Sequence, residues 1–117
     1  MNDERAAGRA YNVGEEDPPS WAEWVGGIGV SAGWDGEVVV VPDDRVPKHL
    51  DWGLDTEQHW VTDTGRIRRE LGYAETVERD EALRRAVEWE RAHPPENVDP
   101  TSFDYAAEDA ALAAMSR

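Results

Sequence analysis

Glu37-Val38-Val39-Val40-Val41, closed off by Gly36 before it and Pro42 after it, is a continuous β-branched run of the kind found in strands covered on both faces. Upstream, Arg9-Ala10-Tyr11-Asn12-Val13 is a second β-prone run, ended by Gly14 and the acidic loop Glu15-Glu16-Asp17-Pro18-Pro19. Between the two, Ser20 followed by Glu23 is a capping box, and Trp21, Trp24, Val25 and Ile28 fall at i, i+3, i+4 and i+7 on one helical face. Strand, helix, strand predicts a right-handed parallel unit. The fold class expected is therefore α/β, a small α+β subdomain with a short parallel strand-helix-strand unit and two or three further helices.

Downstream, Asp63 is placed to cap a short helix with Ile67 and Leu71 on its buried side and Gly72 as its left-handed stop. A further helix begins near Asp80, with Leu83, Ala86, Val87 and Trp89 toward a core and Arg84, Arg85, Glu88 and Arg91 toward water, until Pro94-Pro95 end it. Residues 1–95 are expected to form one unit, and 96–117 a linker with an alanine-rich helical tail. Glycines 26, 27 and 29 weaken the second half of the first helix, which is expected to end between Gly29 and Gly33. Six tryptophans, at 21, 24, 34, 52, 60 and 89, are expected to supply most of the core.

A chain of 117 residues has room for one modest core. Its 26 acidic against 12 basic residues give a net charge of -14, which repels phosphate backbones and anionic lipid, so neither nucleic acid nor membrane is an expected partner. The absence of cysteine removes disulfides and thiolate chemistry. No apolar run suggests a leader or a bilayer span, and the default expectation is a cytoplasmic protein.

Pro42 to Thr62 mixes Asp, Pro, His and Trp with no period, and so long an irregular stretch is the expected ligand-facing segment, with His49, His59 and Trp60 its candidate contacts. His49 and His59 among Asp43, Asp44, Asp51 and Asp55 offer metal-ligand types at spacings that match no ligand pattern, so no metal is expected. Gly27, Gly29 and Gly33 imitate a dinucleotide loop, but they follow a helical face rather than a strand. The strand-to-helix junction itself carries Glu15, Glu16 and Asp17 where a pyrophosphate would sit. No cofactor site is expected in this chain alone.

Gly8-Arg9-Ala10-Tyr11-Asn12-Val13-Gly14, Trp21-Ala22-Glu23-Trp24, Val38 to Pro42, Asp63 to Tyr73 and Ala82 to Trp89 occur in an order that resembles the C-terminal part of the NAD-dependent epimerase/dehydratase family, the extended short-chain dehydrogenases/reductases. The similarity spans roughly residues 8 to 95. It implies a substrate-side subdomain that normally faces a nucleotide-binding Rossmann domain, with a sugar nucleotide or related small metabolite in the cleft between them. The family's chemistry needs a Tyr-x-x-x-Lys pair, in which lysine lowers the tyrosine pKa. The only lysine here is Lys48, with Asp44 four before it, and none of Tyr11, Tyr73 or Tyr105 has a lysine at the required spacing. No catalytic residue is assigned.

The resemblance places Arg45 in a loop where the family commonly contacts substrate phosphate; a surface arginine neutralising Asp43 and Asp44 is the equal alternative. Arg66 stands where lysine is common in the family and Gly65 where a hydroxyl is usual. Two functions from different classes follow. The first is a truncated or split epimerase/dehydratase-like chain, inactive alone, with NAD(P) supplied only by a separate Rossmann chain. The second is a non-catalytic binding or homo-oligomerising module that covers an exposed apolar face by self-association.

Overall fold

Ser20 opens helix α1, Trp21–Ser31, by accepting the Glu23 amide at 3.2 Å while the Glu23 carboxylate accepts the Ser20 amide at 2.8 Å, so the capping box predicted from the sequence is formed. In the computed structural model, which describes residues 3–55 and 57–116, α1 stops where Gly33 turns left-handed at φ +74°. The Trp34 amide then donates back to the Gly29 carbonyl at 2.9 Å, which also accepts the Ala32 amide at 3.1 Å. Helix α2, Gly65–Leu71, starts with Asp63 Oδ1 accepting the Gly65 amide at 2.8 Å and ends at Gly72, φ +65°. Helix α3, Arg79–Ala92, stops just short of Pro94, and α4, Tyr105–Met115, is capped by Asp104 Oδ1 accepting the Ala107 amide at 3.1 Å.

The expected α/β class is wrong: the described residues are all-helical, with no strand and no sheet. The reason differs between the two runs. At residues 9–14 the main chain is occupied by α2, since Arg66 donates to the Ala10 carbonyl at 3.4 Å and Arg68 to the Gly14 carbonyl at 2.9 Å, while the Tyr11 hydroxyl donates to Glu70 at 2.6 Å. Arginine side chains thus take two carbonyls that a parallel neighbour would have needed. With that neighbour gone, Glu37–Val41 has no ladder to join, and β-branched composition alone does not make a strand.

Helix α1 lies against α3. Leu83, the better buried of the two buried hydrophobic residues among those described, comes so close to Gly27 that a β-carbon there would stand 3.1 Å from its Cδ1. Arg91 near the end of α3 donates to the Ala32 carbonyl and ties the far ends of the pair together. A second, separate cluster forms around Ile67 and Thr64 of the α2 region, which also meets the N-terminal 3₁₀ turn Glu4–Ala6. The charged side of α3 is solvated as expected, with Arg84 bridging Glu81 and Glu88 and Arg85 paired to Glu81.

The tryptophan core does not form. Trp21, Trp34, Trp52, Trp60 and Trp89 are all exposed, and Trp24 is half-buried. Trp89 leaves its expected core position to stack on His93, ring centres 4.4 Å apart, and Ala86 is exposed as well. The accessible surface is 9983 Å², where a folded chain of this mass exposes about 6,400 Å². The radius of gyration, 18.5 Å, lies between about 13 Å for a compact chain and about 35 Å for an unfolded one. Two small clusters hold α1, α2 and α3, and most of the large apolar side chains remain outside them.

Candidate functional site

The segment Pro42–Thr62 is fastened to two other parts of the molecule. Asp43–Arg45 forms one 3₁₀ turn, from which Arg45 Nη1 donates to the Ala114 carbonyl of α4 at 3.3 Å. Four residues on, His49 Nε2 meets Glu108 Oε1 of the same helix at 2.8 Å, with the imidazole only 10 % exposed. At its middle, Trp52 packs edge-to-face on Trp21 of α1 at 5.2 Å between ring centres. Arg45 and His49, two of the expected substrate contacts, are thereby both tied to α4. His59 and Trp60 are not: both are exposed, and the Trp60 indole donates to the Asp55 carbonyl of its own loop at 3.0 Å.

A concavity lies elsewhere, a cleft of about 700 Å³ between Glu15–Asp17 and Glu75–Asp80 at the start of α3. Its walls are joined by Arg79, which donates to Glu15 at 2.5 Å and to the Asp17 carbonyl at 2.6 Å, and by Glu75, which accepts the Glu16 amide at 3.1 Å. Arg68 grips Glu75 from the side at 2.5 and 2.9 Å, and this pairing holds the Glu75 carboxyl down at about 2. Six acidic side chains surround Arg79 here, so the cleft disfavours a phosphate or carboxylate ligand. Among the described residues no group of His, Asp and Glu is arranged to hold a metal ion.

A third feature is a shallow groove of about 260 Å³ walled by Glu15, Pro18, Pro19, Trp21 and Trp24. It continues onto the Trp21–Trp52 pair, so the proline-aromatic surface runs from the start of α1 to the middle of the 42–62 segment. The sequence reading missed Arg68, whose side chain connects the 14–16 loop, Thr64, Tyr73 and Glu75. Its spacing of four from Thr64 and its place next to Ile67 on a short helix were the available signals. It also missed that Gly27 is a point of close approach to α3, having weighed the glycine as a helix breaker and as part of an imitation dinucleotide loop.

No helix among the described residues is long and apolar enough to cross a membrane. No protein-family model, curated protein or solved structure matches this chain.

Proposed function

We propose that the chain is the substrate-side piece of an NAD-dependent epimerase/dehydratase-like enzyme, inactive alone and completed by a separate Rossmann chain that brings NAD(P) and the Tyr-x-x-x-Lys pair. The observation that carries the reading is the surplus of about 3,600 Å² of accessible surface over a self-sufficient chain of this mass. That surplus includes five tryptophans and the valine run, side chains whose exposure in a lone molecule lacks a compensating gain. The resemblance has one internal support. Its first segment, residues 8–14, and its fourth, 63–73, meet through Tyr11–Glu70, Arg66–Ala10 and Arg68–Gly14. The substrate is a sugar nucleotide or a related small metabolite, and Arg45 with His49 receives its anionic part once α4 lifts away.

Co-expression with a Rossmann chain that carries a glycine-rich β-α-β segment tests this. The expected result is a 1:1 complex in light scattering and NAD(P)-dependent turnover present only in the mixture. A chain that stays monomeric and inactive with such partners overturns the enzyme reading. The second reading, a self-associating module without chemistry, is favoured by the Pro18-Pro19-Trp21-Trp24 groove and opposed by the charge of -14 on each copy. A concentration-dependent dimer that ignores both NAD(P) and the Rossmann chain selects it.

A further inference from the structure

We propose that Glu37–Val41 is a docking strand, which adds through its main chain to an exposed sheet edge of a second protein, an edge that carries lysine or arginine. The inference rests on the reading of a partner-completed chain and names the place and manner of attachment. Four consecutive valines flanked by Gly36 and Pro42 are a poor helix and a good strand, so an occupant that wraps them as a helix is disfavoured. Among the described residues the main chain of 36–41 takes part in no hydrogen bond with another segment. Its donors and acceptors face a second requirement: Val38, Val39 and Val40 are all exposed, on both sides of the run. A sheet edge meets both, because it supplies the alternating donors and acceptors and a surface for the side chains.

Charge selects among the possible edges. Asp35, Glu37 and Asp44 bracket the valines, and the whole chain carries -14. Two copies pairing through this run bring those acids together, whereas protein sheet edges are commonly guarded by lysine, which is complementary to them. The area agrees: a standard interface covers about 800 Å² of each partner, well within the surplus surface of this chain. The run needs no rearrangement of α1, α2 or α3 to be reached, since it lies outside every helix.

The test is amide hydrogen exchange on the intact chain with two synthetic strand peptides that share a Val/Thr core, one flanked by lysines and the other by glutamates. The amides of Val38–Val41 are expected to exchange fast in the free chain and at least about tenfold more slowly with the lysine peptide, while the glutamate peptide leaves them fast. Val39→Pro removes one ladder donor and abolishes the protection; Val39→Thr keeps it. Circular dichroism of both variants is expected to match the parent, as residue 39 belongs to no helix. Slow exchange in the free chain, whether from internal pairing or from a dimer seen in light scattering, overturns the proposal. Binding of the lysine peptide without protection of these amides does so too, and equal protection by both peptides overturns the basic edge. Protection without turnover in the co-expression experiment sinks only the enzyme reading, and turnover with no protection sinks only the docking strand.

Discussion

Arg68 shows how one side chain substitutes for a missing sheet. Its guanidinium donates to Thr64 Oγ1 at 3.0 Å, to the Gly14 carbonyl at 2.9 Å and to both oxygens of Glu75, and it lies 5.2 Å over the Tyr73 ring. Lysine carries the same charge but lacks the planar fork that reaches these groups at once. Arg68→Lys is therefore expected to lower the midpoint of thermal unfolding, and Arg68→Ala to lower it further. Arg84→Ala, which removes exposed pairs within one helix, is expected to leave it nearly unchanged. Equal effects of the three in a thermal melt contradict the assignment. The same contact sets a pH dependence. Glu75 is held at about 2, below its ordinary value of about 4.3, so the folded state binds that proton more weakly than the unfolded state. The stabilisation is complete above the ordinary value and is lost as pH falls through the interval down to about 2. Unfolding midpoints measured from pH 6 to pH 2 are expected to fall less steeply in Glu75→Gln than in the parent, and to start lower at pH 6.

At the scale of elements, what was legible was local. The Ser20 and Glu23 box, Gly72 after α2 and Pro94 beyond α3 are each decided within a few residues, and each is formed where the spacing placed it, whereas the cap position of α2 falls one residue later than expected, at Thr64, with Asp63 accepting the Gly65 amide. Ser20→Ala is accordingly expected to cost about 1 kcal/mol, and Leu83→Ala, at the contact of α3 with Gly27, about 2 to 3 kcal/mol. Denaturant titrations of the two variants check both values and their order. The absence of strands was not legible because a strand is a property of a pair, and nothing within residues 9–14 announces that Arg66 and Arg68 take the Ala10 and Gly14 carbonyls. Periodicity likewise picked out Trp21, Trp24 and Trp89 as one-sided without revealing whether another element arrives to cover them. Of the candidate contacts, Arg45 and His49 sit on the irregular segment the sequence singled out, but their attachment to α4 joins residues too distant in the chain for spacing to show. His49→Ala is expected to release α4, seen as faster amide exchange across Tyr105–Met115 with α1 and α3 unaffected. Unchanged exchange in α4 means that the Glu108 contact does not hold the tail.

At the scale of the whole molecule, two terms keep the chain open: too little apolar surface is buried, and 14 unbalanced negative charges repel one another over a body of 57 × 35 × 26 Å. Salt separates them. At 0.01 M the screening length is about 30 Å, longer than the shortest axis, so acids on opposite sides still interact; at 1 M it is about 3 Å and only direct neighbours do. The ion pairs along α3, between Arg84, Arg85, Glu81 and Glu88, weaken over the same range, but exposed pairs of this kind contribute little to begin with. Apolar association is not weakened by sodium chloride, so the removal of repulsion dominates. The unfolding midpoint is expected to rise between 0.01 and 1 M sodium chloride, and the scattering radius to contract from 18.5 Å toward, but not to, the roughly 13 Å of a compact chain. The remaining excess is the part that screening cannot remove, because it belongs to side chains with nothing in this chain to cover them. A midpoint that falls with salt makes the ion pairs, not the net charge, the governing electrostatic term. A full contraction to the compact radius removes the reason to invoke a covering partner at all.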